Sequence, residues 1–225
     1  MKEPAARGHE EQGATETTRY RRGTVDDDHE VPVLSERDLL AVLLRAWDGA
    51  IGRFAGGATA GALHADRSKN FVGALGDVLA AHYEKFPDVR VFCHGRQQEE
   101  FPRWEEFLFD VLVARIDRVT SPVHRASLPI ICAPLLQVES ELKPDTRETL
   151  VDASKIVCGA APQSLVVVPV TPRPSHYLDP LADIARHVRG EVFVAFVPHP
   201  KRWGATAPAP ALYRWATNGW LRVGG

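Results

Sequence analysis

The stretch Cys132-Ala-Pro-Leu-Leu-Gln-Val-Glu-Ser-Glu-Leu142 begins as an apolar strand and ends on two carboxylates one residue apart. Side chains alternate along a strand, so Gln137, Glu139 and Glu141 share one face while Val138, Ser140 and Leu142 take the other. Two acids on one face repel each other at neutral pH. Solvent, a basic partner or a divalent cation relieves that repulsion. Read alone, the stretch is most simply a strand end with two solvated glutamates. Its neighbours on either side point elsewhere.

Upstream lies Phe107-Leu-Phe-Asp-Val-Leu-Val-Ala114, apolar on both faces apart from Asp110. A carboxylate inside a two-sided apolar strand is costly unless something compensates it. A hydrogen bond to a loop backbone would suffice, and so would a metal or active-site role. Between the two strands a loop carrying Pro122 and Pro129 is expected. Downstream, Asp145 is placed as a helix N-cap with Glu148 three residues on, the pattern of a capping box. The helix it opens carries Asp152 and Lys155 and ends at Gly159. Lys155 sits where it can pair with Asp152 at i,i+3 or swing back over the strand ends.

Working outward, Ser35 is positioned to cap a helix that ends near Phe54, before the glycine-rich connector Ala55–Gly61. That connector lacks GK[ST] and follows no strand, so it is a poor phosphate cradle. Apolar residues at helical spacing predict a second helix over Ser68–Phe86, stopped by Pro87; His82 on it reads as a packing residue and Glu84 as part of a solvated end. Strands are expected at Val89–Cys93, Ser164–Val168 and Glu191–Val197, with a helix over Leu178–Arg189. The pair Asn218-Gly219, between Leu212–Trp215 and Trp220–Val223, predicts a hairpin with Trp215 and Trp220 packed across it. Residues 1–30 have almost no large aliphatics and are expected to form a disordered tail, with 31–225 as a single domain. The Arg19-Tyr-Arg-Arg22 cluster in that tail is offset by Asp26-Asp-Asp28.

A net charge of −2 over 225 residues excludes a strongly basic nucleic-acid coat but leaves room for a local basic groove. Cys93, Cys132 and Cys158 are widely spaced in apolar context and read as reduced thiols, not as a disulfide frame or zinc site. No apolar run reaches the roughly 18–20 residues of a membrane span, and the polar N-terminus lacks the apolar core of a secretory signal. A cytoplasmic location without membrane partners is therefore expected.

From residue 68 onward the order α, β, β, β, α, β places Asp110 on the second strand, Glu139-Ser-Glu141 on the third and Asp152/Lys155 on the next helix. Over roughly residues 68–170 this resembles the core of the PD-(D/E)xK, or restriction-endonuclease-like, nuclease superfamily. The resemblance implies an α/β fold: a central mixed sheet flanked by helices, here with an extra C-terminal helix, strand and hairpin. It also implies metal-dependent phosphodiester hydrolysis of nucleic acid, DNA before RNA, in restriction or other defence. By position, Asp110 matches the family's strand Asp and Glu139 its strand acid, with Ser140 offering a backbone carbonyl as a further oxygen ligand. Magnesium or manganese would be the cofactor, since such ions take hard oxygen ligands. Glu141 stands where the family usually has Lys, so the catalytic set implied is Asp110, Glu139, Glu141 and Lys155. Basic residues near the acids, Lys143 and Arg147, and the cluster Lys201-Arg202-Trp203 are the candidate nucleic-acid contacts. Lys201-Arg202-Trp203 also fits a packed loop anchored by its Trp. Many nucleases of this type work as homodimers. The departure at Glu141 keeps open an alternative in which the fold binds nucleic acid or a protein partner without catalysis.

Overall fold

The structure, a computed structural model, describes residues 33–52, 62–96, 101, 108–203 and 207–224. The expected tail, Phe54, the Ala55–Gly61 connector and Phe107 lie outside the described residues.

Among the described residues four helices and seven strands make an α/β domain around one mixed sheet. The helices are α1 (Glu36–Gly52), α2 (Ala62–His82), α3 (Thr146–Cys158) and α4 (Ser175–Ala185). The strands are β1 (Val89–Cys93), β2 (Val111–Ser121), β3 (Ala126–Ser140), β4 (Gln163–Pro169), β5 (Glu191–Val197), β6 (Ala211–Ala216) and β7 (Gly219–Val223). Spatial order follows chain order. Strands β1–β3 form an antiparallel meander, β3–β5 run parallel, and β6 and β7 return antiparallel. Parallel neighbours need a crossover, and α3 and α4 supply the two that are required. Both crossovers step the same way along the sheet, so a common handedness places both helices on one face. There Ala153 and Ile156 of α3 and Leu178 and Leu181 of α4 pack with Leu112, Val166, Val194 and Phe196. The alternate strand residues, among them Val113, Val138, Leu165 and Phe193, are buried on the other face, where α2 lies along β1 and β2.

Local chemistry explains the boundaries. The Ser35 hydroxyl accepts the Asp38 N–H at 3.1 Å, capping α1 as its position predicts. Asp145 caps α3 by accepting the Arg147 N–H at 2.9 Å. The capping box does not form, because Glu148 pairs with Lys143 Nζ at 2.8 Å instead of reaching back to the cap. Helix α2 begins earlier than expected and stops at His82. Helix α4 is displaced toward the N-terminus, running from Ser175 to Ala185 in place of Leu178–Arg189. In the C-terminal hairpin Ala216 pairs with Gly219, so the two-residue turn is Thr217-Asn218, one position before the expected pair. Trp215 and Trp220 face each other across it, ring centroids 5.2 Å apart.

Two corrections concern the central strands. Strand β2 begins at Val111, so Asp110 stands just outside the ladder instead of within it. A carboxylate inside the ladder would lie between apolar layers; outside it, the side chain reaches a backbone N–H, as described below. The expected Pro122/Pro129 loop is replaced by a long hairpin, in which Ile116–Ser121 pairs with Ala126–Ile131 and only the turn between them is loop. Two register shifts, between Val113 and Ala114 and between Arg115 and Ile116, interrupt that pairing; such bulges bend a strand pair and increase its twist. They let Pro129 and Pro134 sit in a strand, since neither needs to donate on the side where β4 has not yet begun.

Candidate functional site

The carboxyl ends of the parallel strands β3, β4 and β5 form one rim of the sheet, and the start of β2 joins them there. Open α/β sheets gather ligand-binding groups at such a rim. Register brings the acids together. Val111 pairs with Val138 at the end of the ladder, so Asp110, the next residue out, comes near Glu139 and its charge bears on that carboxyl. Glu139 follows the parity of Leu112 and Gln137, the face covered by α3.

Glu139 is only 1% exposed, so it is not the solvated strand end its sequence context first suggests. Its Oε2 accepts from Lys155 Nζ at 3.1 Å, and Lys155 also donates to Asp152 at 2.9 Å. The other oxygen, Oε1, is buried and accepts no hydrogen bond. Burial, and after it the charge of Asp110, pushes the Glu139 carboxyl up to about 8 against the pull of Lys155. Burial works against the Lys155 ammonium, but its hydrogen bonds to Asp152 and Glu139 outweigh that and hold it above its usual value. Lys155 therefore meets both alternatives its position offers: it pairs with Asp152 and swings back to the strand end. Asp110 Oδ2 accepts the Ser140 N–H at 2.8 Å, tying the start of β2 to the end of β3.

Glu141 lies beyond the last residue of β3 and is a half-buried neighbour, not a member of this cluster. Its N–H donates to Val167 O at 3.0 Å, and its Oε1 accepts the Lys143 N–H at 2.7 Å. Burial raises its carboxyl, and the charges acting on it are Lys143, Glu148 and Asp152. Together with Asp145, Arg147 and Val151 these residues line an open depression beside the first turns of α3. Lys143 is engaged by Glu148, whereas Arg147 is exposed on the helix surface. Lys201 and Arg202 are exposed on a short 3₁₀ turn following β5, at the same rim. The neighbouring Trp203 is buried, donates to Pro198 O at 2.6 Å and stacks edge-on with Trp47 at 5.1 Å. The Trp thus anchors a packed loop that presents two cations outward.

One residue of the site was visible in the sequence without its role. Gln137 shares the Glu139 face and is fully buried; its Nε2 donates to Ile156 O and to Ser164 Oγ, both at 2.8 Å. It locks α3 onto β3 and β4 and so positions Lys155. A Gln in an apolar strand, in phase with a Glu, was the available signal.

Among the described residues no group of three or more His, Cys, Asp or Glu side chains could hold a metal ion. The donor set on this rim is two carboxylates and the Ser140 carbonyl. Hard oxygens of this kind suit magnesium or manganese, and the orphaned, buried Glu139 Oε1 is an acceptor such an ion would satisfy.

No helix among the described residues is long and apolar enough to cross a membrane. No protein-family model, curated protein or solved structure matches the chain.

Proposed function

We propose that the protein is a metal-dependent nuclease of the restriction-endonuclease-like type, acting on DNA. The observation that carries this reading is the nearness of Asp110 to Glu139 at the end of the β2–β3 ladder, with Lys155 reaching the same carboxylate from α3. The antiparallel β1–β3 meander, followed by a helical crossover to a parallel β4, supports it as well. Asp110, Glu139 and the Ser140 carbonyl would hold the ion. Bound there, Mg²⁺ or Mn²⁺ would offset phosphate charge and make a coordinated water easier to deprotonate.

The protein's own groups have separate tasks. Asp110 fixes the end of β3 through the Ser140 N–H, which keeps the two carboxylates near each other. Lys155 keeps its proton, so it acts as a fixed cation beside the charge that develops on the phosphate and leaving oxygen, not as a base. In this way Lys155 takes the place of the family's strand Lys, and Glu141 at that strand position lines the approach. Arg147, Lys201 and Arg202 stand around the rim as phosphate contacts; Lys143 can join them only by leaving Glu148.

A second reading, a nuclease fold that binds nucleic acid or protein without cleaving, is favoured by the Lys155–Glu139 contact. That contact neutralises the site from within. Incubation of purified protein with duplex DNA and Mg²⁺, Mn²⁺ or EDTA, beside Glu139→Ala, separates the two. Metal-dependent cleavage lost in the variant supports the nuclease. Cleavage that survives the substitution overturns the site, and no cleavage with either metal leaves the binding reading in place.

A further inference from the structure

The hairpin of β2 and β3 outruns the sheet. Strand β1 pairs with β2 only as far as Arg115, and β4 meets β3 only from Leu136. Beyond those points Ile116–Ser121 pairs with Ala126–Ile131 in a two-stranded ribbon about 20 Å long at roughly 3.3 Å per residue, its base held by the Ile116 N–H donating to Asp88 O at 2.7 Å and by Ile116 and Ile131 packing on the core. The bulges at its base re-aim it relative to the sheet. It projects from the end of the sheet opposite the acidic rim.

Its charge differs from that of the whole chain. The chain is net negative, whereas the ribbon carries one acid, Asp117 near its base, against Arg118 midway along it and His124 and Arg125 at its tip; no other Asp or Glu occurs before Glu139. All three basic residues are exposed. Arg118 is braced across the ribbon by Ser127, donating to its hydroxyl at 3.2 Å and its carbonyl at 2.9 Å, which holds the guanidinium against the strand pair. Arg125 has φ of 50°, the left-handed region that costs a side-chain-bearing residue about 1–2 kcal/mol. Glycine would suit that turn better, so the position carries a cation at the expense of backbone comfort. Hydroxyls of Thr120, Ser121 and Ser127 flank the arginines, and Val123 at the tip is 86% exposed.

We infer that the β2–β3 ribbon is a docking arm for duplex DNA, seated in the major groove with Arg118 and Arg125 on the flanking phosphates. The groove, about 12 Å wide, admits a two-stranded ribbon, whereas the narrow major groove of A-form RNA does not. The inference rests on the nuclease reading for its choice of DNA as the polyanion. It adds a contact surface remote from the acids, at the other end of the sheet.

The test is anisotropy of a fluorescent DNA duplex of about two helical turns, titrated with the full chain in EDTA over a range of salt. Arg125→Gly removes the charge and relieves the turn. It should keep or raise Tm and weaken binding several-fold. Combined with Arg118→Ala it should weaken binding roughly tenfold or more and lower the salt slope by about one for each arginine removed. Duplex RNA should bind less tightly and show little dependence on the two arginines. Unchanged DNA affinity and slope in a folded double variant overturns the arm, as does a parent protein with no salt-dependent DNA binding. Sedimentation in which the parent dimerises, and the variants lose dimer and DNA binding together, overturns it in favour of a contact between copies. Glu139→Ala keeps the failures distinct. If the parent does not cleave but binding still depends on the ribbon, the nuclease reading falls and the arm stands; cleavage with ribbon-independent binding gives the reverse.

Discussion

Lys155 Nζ lies 3.1 Å from Glu139 Oε2, bringing a half-exposed helix cation onto a carboxylate buried at the end of β3. The contact spans two elements that are separate in sequence. It depends on α3 being pinned by Gln137 and capped by Asp145. The two ends of the pair have opposite solvation, since the amine side chain is 37% exposed and the carboxylate is nearly sealed.

Replacing Lys155 by Met keeps the aliphatic stem and removes the charge. Glu139 then loses the cation that pulls its carboxyl down, and the carboxyl, already held up to about 8, rises further. Because the lysine is partly solvated, the stability cost is about 1–2 kcal/mol at pH 7, below that of breaking a sealed pair. Nuclease rate should fall by roughly 10²-fold or more, as expected when a preorganised charge is lost. Urea unfolding and single-turnover cleavage measure the two effects, and an unchanged rate removes Lys155 from the site.

Glu139 gives metal-free protein a pH signature. Its folded value of about 8 lies above the ~4.3 of an unfolded glutamate. Between those values the folded state keeps a proton that the unfolded state releases, so stability is fully present below about pH 4.3 and is lost as pH rises toward 8. The loss is on the order of 2–4 kcal/mol. Glu139→Gln should flatten that decline and be more stable than the parent at pH 8 in EDTA. Parallel melting curves for the two proteins from pH 5 to 8 would falsify the buried, raised carboxyl.

Asp110 ties down the end of β3 and, on the nuclease proposal, also holds the metal; two variants separate the two tasks. Asp110→Ala leaves the Ser140 N–H without its acceptor and should cost about 1–3 kcal/mol. Asp110→Asn keeps a carbonyl acceptor and should recover most of that stability. Neither variant supplies an anion, so both should lose metal-dependent cleavage. An active Asp110→Asn protein would show that Asp110 serves only the strand end.

Gly159 closes α3 directly against Gln137. A Cβ there would fall 1.7 Å from Gln137 Oε1, within a buried amide that holds two hydrogen bonds. Gly159→Ala should therefore destabilise by about 1–3 kcal/mol, and activity should fall further than stability alone explains because Lys155 shifts with the helix. Comparing Tm with cleavage rate under folding conditions checks both parts; a neutral Gly159→Ala would mean the amide relocates freely.

Much of the architecture can be read from local pattern. The apolar runs of β4 and β5 predict two-faced burial, Ser35 and Asp145 mark helix starts, and the Trp215/Trp220 pair follows from hairpin spacing. Each depends on neighbours a few residues away. The ribbon escaped notice because Pro122 and Pro129 read locally as loop. Pro122 falls in the turn, and Pro129 is tolerable in the strand because β4 does not pair with β3 before Leu136. The pattern puts Asp110 in mid-strand for a similar reason, whereas β2 starts at Val111, since a strand's end is set by its partners' ends.

For the candidate site, the sequence by itself determined the residue types, their alternation along β3 and the helix that carries Lys155. Tertiary structure alone decided that Asp110 comes near Glu139, that Glu139 is buried and that Glu141 stands apart. Alternation is a property of one strand's backbone, repeated every two residues whatever surrounds it. Which carboxylates meet depends on inter-strand register, where a slip of one residue turns every side chain to the other face. Burial depends on α3 closing over that face. Both are settled by packing between segments far apart in the chain, and the chemistry of the site follows from them.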